Sequence, residues 1–246
     1  MRDDNALVER YMAIWNEPDE AVRASEIAEL WAPEGVHQIL DFIMKGHATI
    51  AGRVGRAYVQ WVEQQNHRFR SAGDVMSYDN VVTFHWEMVP AGKEEVISVG
   101  FDFLILDDEG RILVDHQFNE PPVLSARLNA LADRCVAVWN EPDAEARGKE
   151  IAQLWAADRT LAAETSVTEA YTAAQAEGLV LSRSGNADGH PNAARYSWRQ
   201  APALGTGPAS TGFDFLLLDD DGHIVQNYRF THAPTPSARI LAPEAV

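Results

Sequence analysis

The chain has 246 residues, 46% of them hydrophobic and 23% charged, with 20 basic residues against 37 acidic ones and a formal net charge of -17 at pH 7. That length holds one large domain or two small ones, each able to bury a core, while the negative charge disfavours phosphate backbones and anionic lipid, so neither nucleic acid nor a membrane is an expected partner. The single cysteine, Cys135, excludes a disulfide framework and a cysteine-based zinc site; with no run near the ~18 apolar residues of a membrane span and no signal-peptide stretch at the N-terminus, a cytoplasmic location is expected.

Leu7, Val8, Tyr11, Met12 and Trp15 recur at helical spacing and predict an amphipathic helix over residues 5–16. Asn16-Glu17-Pro18-Asp19 ends it and starts a second helix, with Ala24, Ile27, Ala28 and Trp31 on one stripe. A strand is expected over residues 36–41. Ile50, Val54, Tyr58 and Trp61 mark a third helix over residues 48–63. From there the pattern changes to β-type runs, 68–76, 81–89, 95–106 and 111–118, divided by turn residues such as Asp79-Asn80 and Asp107-Asp108-Glu109-Gly110. Helices followed by an antiparallel meander make an α+β arrangement.

The chain then repeats itself. Between Trp15–Trp31 and Trp139–Trp155, 11 of 17 positions are identical, beginning with Trp-Asn-Glu-Pro-Asp in both. Gly100-Phe101-Asp102-Phe103-Leu104 returns as Gly212-Phe213-Asp214-Phe215-Leu216, but the offset has fallen from 124 to 112. Tyr58/Tyr171, at an offset of 113, places 11 of the 12 lost residues between Trp31 and Tyr58. Two unequal copies follow, 1–124 and 125–246, with the boundary near residues 121–127, where Pro121-Pro122 closes the first.

The order of elements, with Val8-Glu9-Arg10-Tyr11 in the first helix, Leu30-Trp31-Ala32 closing the second, and Gly-Phe-Asp-Phe with Asp-Asp-Glu-Gly-Arg-Ile late in the sheet, resembles the nuclear transport factor 2-like superfamily. Its SnoaL-like and ketosteroid isomerase-like branches are nearest. The resemblance covers both copies and implies two cone-shaped domains, each with helices packed on a curved antiparallel sheet around an apolar pocket. It also implies candidate catalytic positions. The isomerase tyrosine and protonated aspartic acid that stabilise a dienolate fall on Tyr11 and Asp102, and a late-strand aspartate used by SnoaL-like cyclases falls near Asp115. The isomerase base falls on Ile39, which cannot take a proton. Strand alternation offers His37 and Asp41, on the same face as Ile39, as substitutes. Trp15, Tyr58, Trp61, Phe84, Trp86 and Phe101 are the candidate ligand-binding residues.

The histidines are scattered, with no metal-ligand spacing, no phosphate-cradling glycine loop and no nucleophile elbow, so neither a metal nor a cofactor is expected. The second copy has Cys135 for Tyr11, Asn227 for Asp115, Tyr228 for His116, Ser197 for His85 and Arg199 for Glu87, keeping only Asp102, as Asp214. One working pocket is therefore expected, in the first copy, with the second as a structural or degenerate partner. The two copies are expected to form a dimer-like pair within the chain, with homo-oligomers left open. The leading functional expectation is a cofactor-free acid-base enzyme, of isomerase, cyclase, dehydratase or epoxide hydrolase type, acting on a small apolar organic molecule. The rival is a protein of the same fold that binds a small ligand or a partner without chemistry.

Overall fold

A computed structural model describes residues 3–120, 125–203 and 209–232. The chain divides into two compact units, Met1–Pro122 and Val123–Val246. Pro121-Pro122, the predicted closing feature of the first copy, lies outside the described residues.

In the first unit, α1 (Asp4–Asn16) starts at Asp3, whose carboxylate accepts from the Ala6 N–H, and α2 (Glu20–Leu30) starts at Asp19, which accepts from Ala21 and Val22. The residues between them explain why this segment is repeated so closely. Asn16 donates to the carbonyls of Met12 and Phe69 and accepts from the Phe69 N–H at 2.9 Å, tying the helix end to a strand. Arg23 reaches back to the carbonyls of Glu17 and Pro18 and lies 4.8 Å from the Tyr58 ring centre. The second unit repeats these contacts: Asn140 with Val136 and Leu181, Arg147 with the Glu141 carbonyl, and Arg147 over Tyr171 at 4.7 Å. Each copy thereby uses the motif to satisfy backbone groups that the proline break would orphan.

The chain continues through β1 (Trp31–Ile39), β2 (Phe42–Lys45) and α3 (His47–Ala57), which runs on as a π-helical stretch, Tyr58–Glu63. The meander follows: β3 (His67–Ser71), β4 (Met76–Tyr78), β5 (Val81–Pro90), β6 (Ser98–Leu106) and β7 (Ile112–Glu120). The sheet order is β2-β1-β7-β6-β5-β3, with β4 also on β5. β1 is longer than the sequence predicts and runs parallel to β7, whereas the other pairs are antiparallel. It ends at Ile39, because Leu40 takes a positive φ of 52° and turns the chain into β2.

Register aligns the functional candidates in rows. His37, Asp115, Leu104 and Val82 form one row, and Ile39, Gln117, Asp102 and Phe84 form the next. Residues directly opposed across strands share a face. On this face the sheet meets Val8, Tyr11, Met12 and Trp15 of α1, Ile27 and Leu30 of α2, and Ile50 and Val54 of α3, all buried in one core.

The second unit has α4 (Ala126–Asn140), α5 (Ala144–Leu154), α6 (Thr160–Ala176) and a four-stranded antiparallel sheet in the order β11-β10-β9-β8. Its strands are β8 (Leu179–His190), β9 (Ala193–Pro202), β10 (Ser210–Leu218) and β11 (Ile224–His232). The deleted residues are the counterpart of the β1–β2 hairpin. Only the parallel bridge Trp155–Ile224 remains, matching Trp31–Ile112 in the first unit. Each unit is thus an α+β cone, helices packed on a curved sheet. Among the described residues no helix is long and apolar enough to cross a membrane.

Candidate active site

Four elements of the first unit converge on one polar cluster. Tyr11 comes from α1, His37 from β1, Asp115 from β7 and Asp102 from β6, and all four side chains are 0% exposed or within 1% of it. The parallel β1–β7 ladder sets His37 and Asp115 side by side. The Tyr11 hydroxyl donates to Asp115 Oδ2 at 2.8 Å, and His37 Nδ1 lies 2.7 Å from the same oxygen. A carboxylate oxygen only accepts, so the Nδ1 that faces it carries a proton. Nε2 is buried without a hydrogen-bond partner, as is Asp115 Oδ1.

Asp102 has neither oxygen in hydrogen-bonding geometry with a partner, although Tyr11, Gln117 and Trp86 lie close enough to favour its ionised form in part. Burial, reinforced by the charge of Asp115, outweighs them and holds the Asp102 carboxyl well above the usual carboxylate range. This setting favours the protonated form of Asp102. Burial and the two aspartates also push the Tyr11 hydroxyl well above the ordinary phenol range, which keeps it a donor.

Beside this cluster is a cavity of about 120 Å³. Met12, Trp15, Trp61, Phe69, Trp86 and Met88 form its apolar walls, with Ile39 and Ala57. Its polar groups are Tyr11, Arg53, Gln117, Asn119 and Ser98. Trp86 lies flat across Gly100 on the neighbouring strand, where a Cβ would come within 2.1 Å of the indole. This close approach is why glycine opens the Gly-Phe-Asp-Phe motif, and Gly212 under Trp198 repeats it.

Of the residues predicted from sequence, Tyr11, Trp15, Trp61 and Trp86 line the cavity. His37, Asp102 and Asp115 sit behind Tyr11, reaching the cavity through it rather than facing it. Phe84 supports Tyr11 edge-on, with ring centres 5.4 Å apart, and does not line the cavity. Three predictions are corrected. Asp41 is exposed in the turn after β1, because the strand ends two residues before it. Tyr58 is occupied by the Arg23 guanidinium on the far side of the helix. Phe101 alternates with Asp102 and so lies on the opposite face of the sheet, against His85 at 5.1 Å and Phe118 at 6.1 Å.

Sequence reasoning missed Arg53 and Gln117. The Arg53 guanidinium lies 5.1 Å from the Trp15 ring centre, and its Nη2 donates a long 3.4 Å hydrogen bond to Gln117 Oε1. The signal was present: Arg53 is three residues after Ile50 and four before Ala57, inside the buried stripe of α3. Gln117 is two residues beyond Asp115 and therefore on its face.

The second unit treats its aspartic acid differently. Asp214 accepts two 2.7 Å hydrogen bonds from Arg229, one from Tyr196 at 2.6 Å and one from Trp198 at 3.0 Å. Arg229 stands where the first copy has Gln117 and Tyr196 where it has Phe84, while Ser166 replaces Arg53. Cys135, in the place of Tyr11, is pushed up to about 12 by burial and by Asp214, so its thiol is inert. Among the described residues no three His, Cys, Asp or Glu side chains are grouped to hold a metal ion.

The fold is an α+β cone, helices packed on a curved antiparallel sheet, and it is present in each of the two units. No protein-family model matches the chain, and no curated protein matches it. Solved structures do. One is a candidate isomerase of the SnoaL-like family from Agrobacterium tumefaciens, 24% identical over 48% of this chain and 97% of its own, with a TM-score of 0.44. Another is a nuclear transport factor 2-like protein of unknown function from an Exiguobacterium, 18% identical over 47% of this chain and 98% of its own, TM-score 0.38. A third, a candidate polyketide cyclase from Sinorhizobium meliloti, is 12% identical over 47% and 99%, TM-score 0.37.

Proposed function

We propose that the first unit is a cofactor-free acid-base catalyst acting on a small, largely apolar organic molecule held among Trp15, Trp61 and Trp86. The observation that carries this reading is the buried chain His37–Asp115–Tyr11 ending at the cavity wall, with the buried Asp102 carboxyl beside it. Isomerisation, ring closure, dehydration and epoxide opening share one requirement, a proton moved while negative charge grows on oxygen. Tyr11 is the one member of the cluster at the cavity wall, and it takes the ligand's proton as its own passes to Asp115, or the reverse, with Asp102 acting on it from behind. Asp115, oriented by His37, takes up or returns the proton through the Tyr11 hydroxyl. Ile39 lines the cavity, so the base acts from behind Tyr11 and not from the position that the isomerase resemblance assigns.

The test does not need the natural substrate. Small cyclic ketones and enones, incubated with the protein in deuterium oxide, are followed by NMR for exchange of the hydrogens next to the carbonyl. Exchange is expected from the whole chain, with Tyr11→Phe and Asp102→Asn each slowing it ~10²-fold. Exchange that is no faster than in buffer, or that is unaffected by both changes, overturns the assignment. A second reading, ligand holding without chemistry, draws support from the fact that Tyr11 alone of the four clustered residues lines the cavity. Ligand affinity that is insensitive to Asp102→Asn, with no exchange on any ketone, favours it.

A further inference from the structure

The apolar walls of the cavity do not account for Arg53. Its guanidinium borders the cavity and lies over Trp15, yet among the described residues no carboxylate forms an ion pair with it. Burial, partly aided by Arg56, pulls its pKa down from the usual arginine range, while Tyr11, Asp102 and Asp115 act on it only at a distance. A guanidinium that gives up water without gaining an anion is costly unless something else supplies one. The second unit shows the alternative. There the arginine stands on the strand, as Arg229, and closes bidentately on Asp214 at 2.7 Å. In the first unit the arginine has moved to α3, and Gln117 occupies the strand position, where it holds Arg53 by one 3.4 Å bond.

The remaining polar groups agree in sign. Both strong contacts to Asp115 Oδ2 come from donors, Tyr11 and His37, so the Tyr11 hydroxyl and not a bare carboxylate stands at the cavity wall. The Gln117 carbonyl is directed at Arg53. The wall thus offers one unspent cation and no carboxylate, on a chain whose formal net charge of -17 would otherwise repel an anion.

We propose that Arg53, flanked by Gln117 and stacked on Trp15, is the receptor for a carboxylate on the pocket's ligand, which makes that ligand a small aromatic or alicyclic acid. This rests on the proposed role of the cavity as the ligand site, but not on any reaction there. Planar guanidinium donors match a carboxylate in two parallel hydrogen bonds, and the indole beneath Arg53 fixes its plane. The apolar body then extends along Trp61, Trp86 and Met88, toward Tyr11.

The experiment compares trans-cinnamate with trans-cinnamyl alcohol, two probes of nearly the same shape that differ in charge, by calorimetry on the full chain at pH 7. The expected result is cinnamate binding at least tenfold tighter, with the preference lost in Arg53→Met and partly kept in Arg53→Lys. Equal affinities, tighter binding of the alcohol, binding of neither probe, or a preference that survives Arg53→Met overturns the proposal. The wild-type comparison stands even if a variant fails to fold. A cinnamate preference without deuterium exchange on any ketone removes the catalytic reading and leaves this one; exchange without the preference does the reverse.

Discussion

Arg229 and Asp214 form a bidentate ion pair in the second unit, both bonds 2.7 Å long, with the aspartate side chain 0% and the arginine 27% exposed. Arg229 also lies 3.8 Å from the ring centre of Trp139, the counterpart of Trp15. The same aspartic acid is therefore treated in two ways within one chain: paired with an arginine in one copy, and in the other buried without a cation, where burial favours its protonated form.

Removing the arginine strands a buried charge. Arg229→Gln, which installs the residue of the first copy, is expected to destabilise the second unit by about 3 kcal/mol, read as a lower denaturant midpoint at pH 7. Adding Asp214→Asn to it should recover part of the loss, because the stranded carboxylate is gone. An unchanged midpoint in Arg229→Gln would show that the pair contributes nothing to stability.

Asp102 sets a pH dependence of the opposite kind. Its carboxyl is raised in the folded unit, so the fold holds a proton that the unfolded chain releases above about pH 4. The stabilising contribution of that proton is complete below the unfolded value and is lost as pH rises toward the folded one. Asp102→Asn has no proton to lose. Its stability relative to the native chain is expected to climb by about 1.4 kcal/mol per pH unit above pH 4 until the folded group titrates, measured as the difference in unfolding free energy between the two proteins at matched pH. A difference that stays flat from pH 4 to 8 would mean that Asp102 is ionised in the fold.

Gly100 and Trp86 are locked by contact. Gly100→Ala places a Cβ within 2.1 Å of the indole, and the ring can yield only toward the cavity. The expected cost is about 1–3 kcal/mol of overpacking, together with weaker binding of any probe that fills the pocket. Thermal unfolding and calorimetric titration of the variant check both halves; native stability in the alanine variant would contradict the packing.

Much of the scaffold is legible in sequence because its signals are local. Helical stripes, the Asn-Glu-Pro-Asp break and the turn residues of the meander act within a few positions, and the internal repeat displays them twice. Tyr11, Asp102 and Asp115 could be named because each stands in a motif or beside one. Asp41 and Phe101 were misplaced because a single residue of strand length, or one step of alternation, moves a side chain to the other face or off the sheet. Arg53 was passed over because an arginine beside an apolar stripe reads as a solvated flank until a third element covers it.

The sequence by itself determined the duplication, the α+β class, the place where the second copy is shortened and the residue types available for chemistry, since these depend on order and periodicity along the chain. Only the tertiary structure decided that β1 runs parallel to β7 and so brings His37, distant in sequence, within 2.7 Å of Asp115. It also decided that Asp102 is left unpaired while Asp214 is not, and that Arg53 faces a cavity with no anion of its own. Protonation and pairing depend on burial and on distances of a few ångströms between strands and helices, quantities that register and packing set and that spacing along the chain does not encode.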